Sequence, residues 1–391
     1  GCLPDEGTRT EMPVEPAKRE RGRHDGTSAS LGSRVAAVAV GLSLVALAGC
    51  SSATSTESSA AAGALTAFVT NAQDNGKTTG MGTVIPVDLT AGTPGSPLEL
   101  GTGAGTNAII VTSDGATAYV SNEDTNSVAR IDLASGEVGE AITVGSEPVD
   151  IEFVPQTNEQ WAWVANYGGK TVTTVNLTTG EVGMTIDVPE AGPNTVAFTP
   201  DGRTCYVANW GTDDKAGSTV TPIEVTEGGA SGRVLPSITV GLNPNWVAVT
   251  NDGKTAYVAN KGSSSITPID VASNTAGAAI SVPGPPIQMQ IAPDGTMAFV
   301  AIAGSSPEID AVVPMDLTVT PGIVGPAIDL VAKSQPHWIG FTPDGTTAYV
   351  VGNGNSTLTP ITVATGVPGT PIQVSSDPDA DLLDIAIVPT P

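Results

Sequence analysis

The sequence predicts an all-β fold, a seven-bladed β-propeller with four antiparallel strands per blade and one blade closed by both termini. Three observations carry that prediction. Gly and Pro, 46 and 31 of the 391 residues, punctuate nearly every stretch of ten while Val, Thr and Ile dominate between them, which disfavours long helices and favours short strands joined by turns. One strand–turn–strand unit recurs at intervals of 42 to 51 residues, and a period of that size marks an array of supersecondary units. The two ends of the array are complementary fragments of the unit. With 14% charged and 40% hydrophobic residues, the chain is too apolar for disorder, and its Gly and Pro lack the triplet period of collagen.

The N-terminal region stands outside the array. Val35–Ala48 is an uncharged, mostly apolar run behind Lys18, Arg19, Arg21, Arg23 and Arg34. That is the anatomy of a signal peptide, and the run is shorter than the roughly 20 residues of a membrane-spanning helix. It ends in Leu47-Ala48-Gly49-Cys50, which resembles the lipobox of bacterial lipoproteins and implies acylation of Cys50 as the first residue of the mature chain. Residues 1–49 are therefore read as a lipoprotein signal peptide, those before Met12 being set aside as a start-site artefact. Residues 50–63 are the lipidated Cys and a polar tether, reaching roughly 20 Å by random-coil scaling. Residues 64–391 are the propeller. The expected location is outside the cytoplasm, lipid-anchored to the outer surface of the bacterial cell membrane or to the periplasmic side of the envelope.

Cysteine and charge fit this division. Of Cys2, Cys50 and Cys205 only the last lies in the propeller, so no disulfide is expected. Cys205 takes the slot held elsewhere by Ala67, Ala118, Ala162, Ala256, Ala298 and Ala348, and reads as a buried small residue. Residues 1–49 hold six acidic and six basic residues; the remainder holds 34 acidic and 9 basic, the whole formal −25. Nucleic acid is excluded as a partner, because phosphate binding needs a basic surface.

Each element of the unit has its own signature. The first strand ends in an Asp-Gly turn, as in Ser113-Asp114-Gly115 and Pro200-Asp201-Gly202, a hairpin signal because Gly supplies a positive φ. The second reads Ala118-Tyr119-Val120-Ser121-Asn122 or Ala256-Tyr257-Val258-Ala259-Asn260, its final Asn expected to bond the backbone of the next turn. The third reads Ser265-Ile266-Thr267-Pro268-Ile269-Asp270, and a short fourth follows. The first copy, starting at Thr66-Ala67-Phe68-Val69, lacks its first strand, and Leu383–Pro389 is an orphan first strand. Pairing them completes a seventh blade and removes open edges. The recurrent Tyr-Val-x-Asn and Pro-Asp-Gly motifs resemble the YVTN-family β-propeller repeat of secreted and surface-attached (YncE-like) proteins. The resemblance covers about 84% of the chain; it implies the fold and leaves the activity open.

Function in propellers is sought on the face formed by the loops leading into the innermost strands and those between second and third strands. That face collects Asp150, Trp210, Trp246, Gln288, His337, Trp338 and Asp384. Trp246 and Trp338 share one repeat position with Ala108, Asp150, Thr195, Gln288 and Asp384. Such variation reads as a surface fitted to an asymmetric ligand, against the reading of the two tryptophans as wedges between blades. Outside the signal region only His337 remains, so a His-based zinc or copper site cannot be assembled. There is neither a C-x-x-C-H nor a G-x-S-x-G motif, and no cofactor is expected. Asp377, Asp379 and Asp381 offer oxygens that Ca²⁺ accepts, against the reading of a solvated acidic loop shaped by Pro378.

Three functions remain open. The first is an envelope-anchored module that binds a protein, peptide or glycan partner. The second is a lactonase-like or other propeller hydrolase using His337 with Asp150 or Asp384 as acid or base. The third is a surface-layer structural component. Convergence of ionisable groups at the channel mouth would favour the hydrolase.

Overall fold

The computed structural model describes residues 64–72, 81–103, 105–190, 192–212, 214–304 and 309–390; the leader, Cys50 and the polar tether lie outside them. The described residues form seven antiparallel sheets, each of four strands or of four plus a short extra outer piece. This is the seven-bladed propeller. The innermost strands are, from blade 1 to blade 7, Leu382–Pro389, Thr106–Val111, Pro148–Phe153, Pro193–Phe198, Pro244–Val249, Pro286–Ile291 and Pro336–Phe341. Blade 1 is completed by the chain's own last strand, which runs antiparallel to Leu65–Asn71 with Phe68 opposite Ala386 and Val69 opposite Ile385. The Thr390 N–H closes the end of that ladder on the Ala64 carbonyl at 2.7 Å.

The repeat signatures become packing rules. The second-strand valines Val69, Val120, Val164, Val207, Val258, Val300 and Val350 are at most 1% exposed, because the middle strand of a blade is covered on both faces. Cys205 is fully buried among them, and burial raises its thiol well above the ordinary range. At the Asp-Gly turns the aspartate bonds locally: Thr112 Oγ1 donates to Asp114 Oδ1 at 2.6 Å, the Ala116 N–H donates to the same oxygen at 2.9 Å, and Gly115 takes φ +71°. These bonds hold the Asp114 carboxyl below its usual range.

The second-strand asparagines reach past the expected turn to the third strand, where Asn166 Nδ2 meets the Thr171 carbonyl at 3.2 Å as well as the Thr171 and Thr173 hydroxyls. Asn209 Nδ2 donates to Thr219 Oγ1 and Thr221 Oγ1 at 3.0 and 2.9 Å, and Asn260 Nδ2 reaches Ser265 and Thr267 likewise. The amide thus ties the second strand to hydroxyls of the third, because strand alternation aims those hydroxyls back at it.

In five blades the third strand carries a proline opposite the second-strand aromatic, as Tyr257 opposite Pro268 and Phe299 opposite Pro314. Proline has no N–H to give the fourth strand. In these blades the outer strand breaks into two short pieces, its bend held in blade 5 by the Gly277 N–H on the Pro268 carbonyl at 2.7 Å, and the same break occurs without proline in blade 2, where the Gly139 N–H bonds the Arg130 carbonyl at 2.8 Å. Blade 3 has Thr174 at this place and keeps one outer strand, Glu181–Asp187. Blade 2 has Arg130.

Candidate functional site

Alternation along the innermost strands sends their third residue toward the next blade. An innermost strand is also a sheet edge, whose N–H groups on the axis side lack a strand partner. Polar third residues supply one. Asp384 Oδ2 accepts the Ile109 N–H of blade 2 at 2.9 Å, while its Oδ1 accepts the adjacent Ile385 N–H at 2.6 Å. Asp150 Oδ2 accepts the Val196 N–H of blade 4 at 2.8 Å, and Gln288 Oε1 accepts the Ile339 N–H of blade 7 at 3.2 Å. A second tier runs through carbonyls. Asn194 Nδ2 and Thr195 Oγ1 donate to the Asn245 carbonyl at 2.9 and 2.7 Å, and Asn245 Nδ2 donates to the Ile287 carbonyl. Thr70 Oγ1 donates to the Asn107 carbonyl at 2.7 Å, and His337 Nδ1 lies 3.3 Å from the Leu383 carbonyl. Every junction of the ring carries such a bond on an innermost strand except that between blades 2 and 3. There the third residue is Ala108, and among the described residues no side-chain hydrogen bond joins the two innermost strands.

These stitches include most residues picked out on the sequence. Asp150 and Asp384 are 4% and 6% exposed. Burial pushes their carboxyls up, to about 7 for Asp150 and about 8 for Asp384, against the pull of the backbone N–H groups; repulsion from Asp150 adds to the rise at Asp384. Glu152 stands two residues beyond Asp150 on the same strand face. It lies on an innermost strand and its side chain is exposed. Burial, then repulsion from Asp150 and Asp384, raises its carboxyl, and solvent tempers that rise. No Lys or Arg lies on any innermost strand, so one side of the axis is uniformly acidic. Sequence reasoning overlooked Glu152. Its signal was the pair of acids at alternate positions in Pro148-Val149-Asp150-Ile151-Glu152-Phe153.

The other side of the axis is aromatic. Trp246 of blade 5 and Trp338 of blade 7 meet edge to face across blade 6, with ring centroids 4.9 Å apart at 80°. His337 stacks on Trp338 at 5.4 Å, and Gln288 of the intervening blade is fully buried. Each tryptophan is half-buried and also packs into the following blade, Trp246 on the cluster of Met289 and Ile302, Trp338 on that of Leu382 and Ile385. Trp210 belongs to neither side. It lies not on a loop but on the second strand of blade 4, which is extended over Thr204–Thr212, with Lys261 Nζ 5.2 Å above its ring, and its carbonyl accepts Asn243 Nδ2 at 3.0 Å. Asp377, Asp379 and Asp381 are not gathered around a common point: the Asp379 N–H donates to Asp377 Oδ1, Asn353 Nδ2 donates to Asp381, and no group of three metal-ligating side chains occurs among the described residues.

Comparison with known proteins adds fold alone. No protein-family model and no curated protein matches the chain. The solved structure of a periplasmic gluconolactonase from Pseudomonas aeruginosa superposes with a TM-score of 0.65 at 16% identity, over 84% of this chain and 100% of that one. A functionally unknown protein from Desulfotomaculum acetoxidans gives 0.65 at 16%, over 83% and 98%, and Kuenenia stuttgartiensis hydrazine synthase 0.58 at 22%, over 73% and 87%. The likeness is one of architecture. At such identities it transfers no chemistry.

Proposed function

We propose that the protein is an envelope-anchored lipoprotein whose propeller binds a protein, peptide or glycan partner on the face that carries Trp210 and Lys261. The observation behind this reading is the use made of the channel-mouth groups. Asp150, Gln288 and Asp384 spend their acceptors on backbone N–H groups of the next blade, and Trp246 and Trp338 are packed against each other, so the residues that would serve a reaction hold the ring instead. Trp210 with its neighbouring ammonium is half exposed, and aromatic and cationic side chains of that kind anchor partners. Two measurements test the reading. Cys50→Ala should move the protein from the membrane to the soluble fraction. The propeller, residues 64–391, should capture a partner from the native envelope that the Trp210→Ala variant, equally folded, does not. An unchanged membrane fraction removes the anchor, and equal capture by both forms removes the face.

One observation favours a second reading, a lactonase-like hydrolase: Asp150 and Asp384 titrate near neutrality, where acid–base groups work best, in a fold shared with a gluconolactonase. Turnover of D-glucono-1,5-lactone above the buffer rate, abolished by Asp384→Asn, would establish it. Turnover that survives both Asp150→Asn and Asp384→Asn would dismiss these residues from it.

A further inference from the structure

The repeat serves as its own control for the crevices between blades on the outer rim. Between blades 6 and 7 the crevice has a volume of about 490 Å³ and an apolar lining that includes Phe299, Pro314, Ile328 and Val363. Between blades 2 and 3 the corresponding crevice is larger, about 750 Å³, and polar. Three departures from the repeat meet there. Arg130 stands where five other blades carry Pro86, Pro222, Pro268, Pro314 and Pro360. The Asp-Gly turn of the neighbouring blade is replaced by Pro155–Gln160, in which Gln156, Asn158 and Glu159 take positive φ, a backbone that asparagine tolerates and glutamate rarely adopts. The junction is also the one without a stitch on its innermost strands.

Charge singles out Arg130 further. The propeller has three arginines. Arg203 and Arg233 are paired with Asp201 and Glu224, whereas Arg130 is exposed in the crevice, has no ion pair or hydrogen bond of its side chain among the described residues, and acts only at longer range on Asp132 of its own strand, whose carboxyl it helps, after the hydrogen bonds from Ser135, to hold below the usual range. In a domain with 33 acidic and 9 basic residues, net −24, such a guanidinium keeps its hydrogen-bond donors for a partner that can reach them. Around it stand Glu140, Glu159 and the hydroxyls of Thr143, Thr178 and Thr179; one Glu159 oxygen already accepts the Ser113 N–H at 2.9 Å. A guanidinium recognises a carboxylate with two parallel hydrogen bonds, while carboxylates and threonines suit O–H donors and repel a ligand of dense negative charge. We infer that the crevice between blades 2 and 3 is a binding site for a sugar acid, a ligand with one carboxylate among several hydroxyls, with Arg130 as its carboxylate anchor. The site is separate from the channel and from the Trp210 face, and stands or falls independently of them.

Isothermal titration of the full-length protein with D-glucuronate, D-glucose and acetate at neutral pH and low salt tests it. Saturable binding of glucuronate is expected, with glucose and acetate each about tenfold weaker or worse, because each lacks one half of the recognition. Arg130→Gln should weaken glucuronate about tenfold with an unchanged melting temperature, and Arg130→Pro, which installs the residue of the other blades, should do the same. Trigalacturonate in place of glucuronate assigns the source: tighter binding indicates a saccharide chain, weaker binding a free sugar acid. Absence of glucuronate binding, equal binding by wild type and Arg130→Gln, or acetate binding as well as glucuronate overturns the inference. Should neither variant fold, amide shifts induced by glucuronate in the wild type must fall at Thr143, Thr178 and Thr179, and shifts elsewhere overturn it equally.

Discussion

The two buried aspartates that stitch the ring make its stability depend on pH in an unusual direction. In the unfolded chain they titrate near 3.8; in the ring, near 7 for Asp150 and 8 for Asp384. The folded state therefore holds more protons than the unfolded state between about pH 4 and pH 8, and stability falls as pH rises through that interval. A rise from 3.8 to about 7 corresponds to roughly 4 kcal/mol at 1.36 kcal/mol per pH unit. Because the two carboxyls repel each other, their joint contribution is on the order of several kcal/mol. Asp→Asn at either site removes the ionisation and keeps one acceptor oxygen, at a cost of about 1 kcal/mol for the second N–H left unanswered. The stability curves of wild type and of the Asp150→Asn, Asp384→Asn double variant should therefore cross: wild type more stable at pH 5, the variant more stable at pH 9. Denaturant unfolding of the propeller at pH 5, 7 and 9 reads this directly. Parallel pH dependence in the two proteins, or a variant weaker by the same amount at every pH, would refute the reasoning.

Other outcomes follow from the packing. Trp246→Ala with Trp338→Ala should cost about 2 kcal/mol per residue, less than truncation of a fully buried Trp, and uncover Gln288; a thermal melt within a degree of wild type would show that the pair supports nothing. Removing residues 380–391 takes away the innermost strand of blade 1 and should abolish cooperative unfolding, which a scanning calorimeter would register as loss of the transition. Gly232→Ala would place a methyl 2.6 Å from the Trp163 ring, so a loss of about 1–3 kcal/mol is expected from overpacking, and an unchanged denaturation midpoint would mean that the Thr226–Val234 loop does not rest on blade 3 in solution.

The fold was legible because its signals are local and repeated. Asp-Gly turns, alternation around Tyr-Val-x-Asn and the two half-units at the ends each depend on a few neighbouring residues, and seven copies reinforce one another. The role of the third innermost residue was not legible. Variation among Ala108, Asp150, Thr195, Trp246, Gln288, Trp338 and Asp384 reads as adaptation to a ligand, yet Asp150, Gln288 and Asp384 each answer a backbone N–H that is 46, 51 and 275 residues away in sequence, visible only once the blades are set side by side. The asparagines illustrate the same point. Their position at a strand end predicts a turn bond, and the partner that alternation presents is a hydroxyl on the third strand. The departure of Arg130 from proline was in the sequence throughout, and acquires meaning only beside the crevice it lines.

Among the described residues, blades 2 and 3 are joined by the Ser113 N–H on Glu159, the Tyr119 O–H on the Leu177 carbonyl and the Glu147 N–H on Asn126, but no side-chain hydrogen bond joins their innermost strands, and this bears on how the ring comes apart. In a closed ring the seam made by the two chain ends is the natural place to expect failure, since no covalent bond holds it there. Here that seam lies within a blade, along the full ladder of Leu65–Asn71 on Leu382–Pro389, while the junction with the least holding its innermost strands is internal to the chain. The first excursion from the closed state should then be a parting of blades 2 and 3, with the covalent connection through Ser146 and Glu147 acting as a hinge. Amides of Thr106–Val111 and Pro148–Phe153 would exchange ahead of those beside the chain ends, and a ligand lodged in the crevice would act as a clasp across the gap.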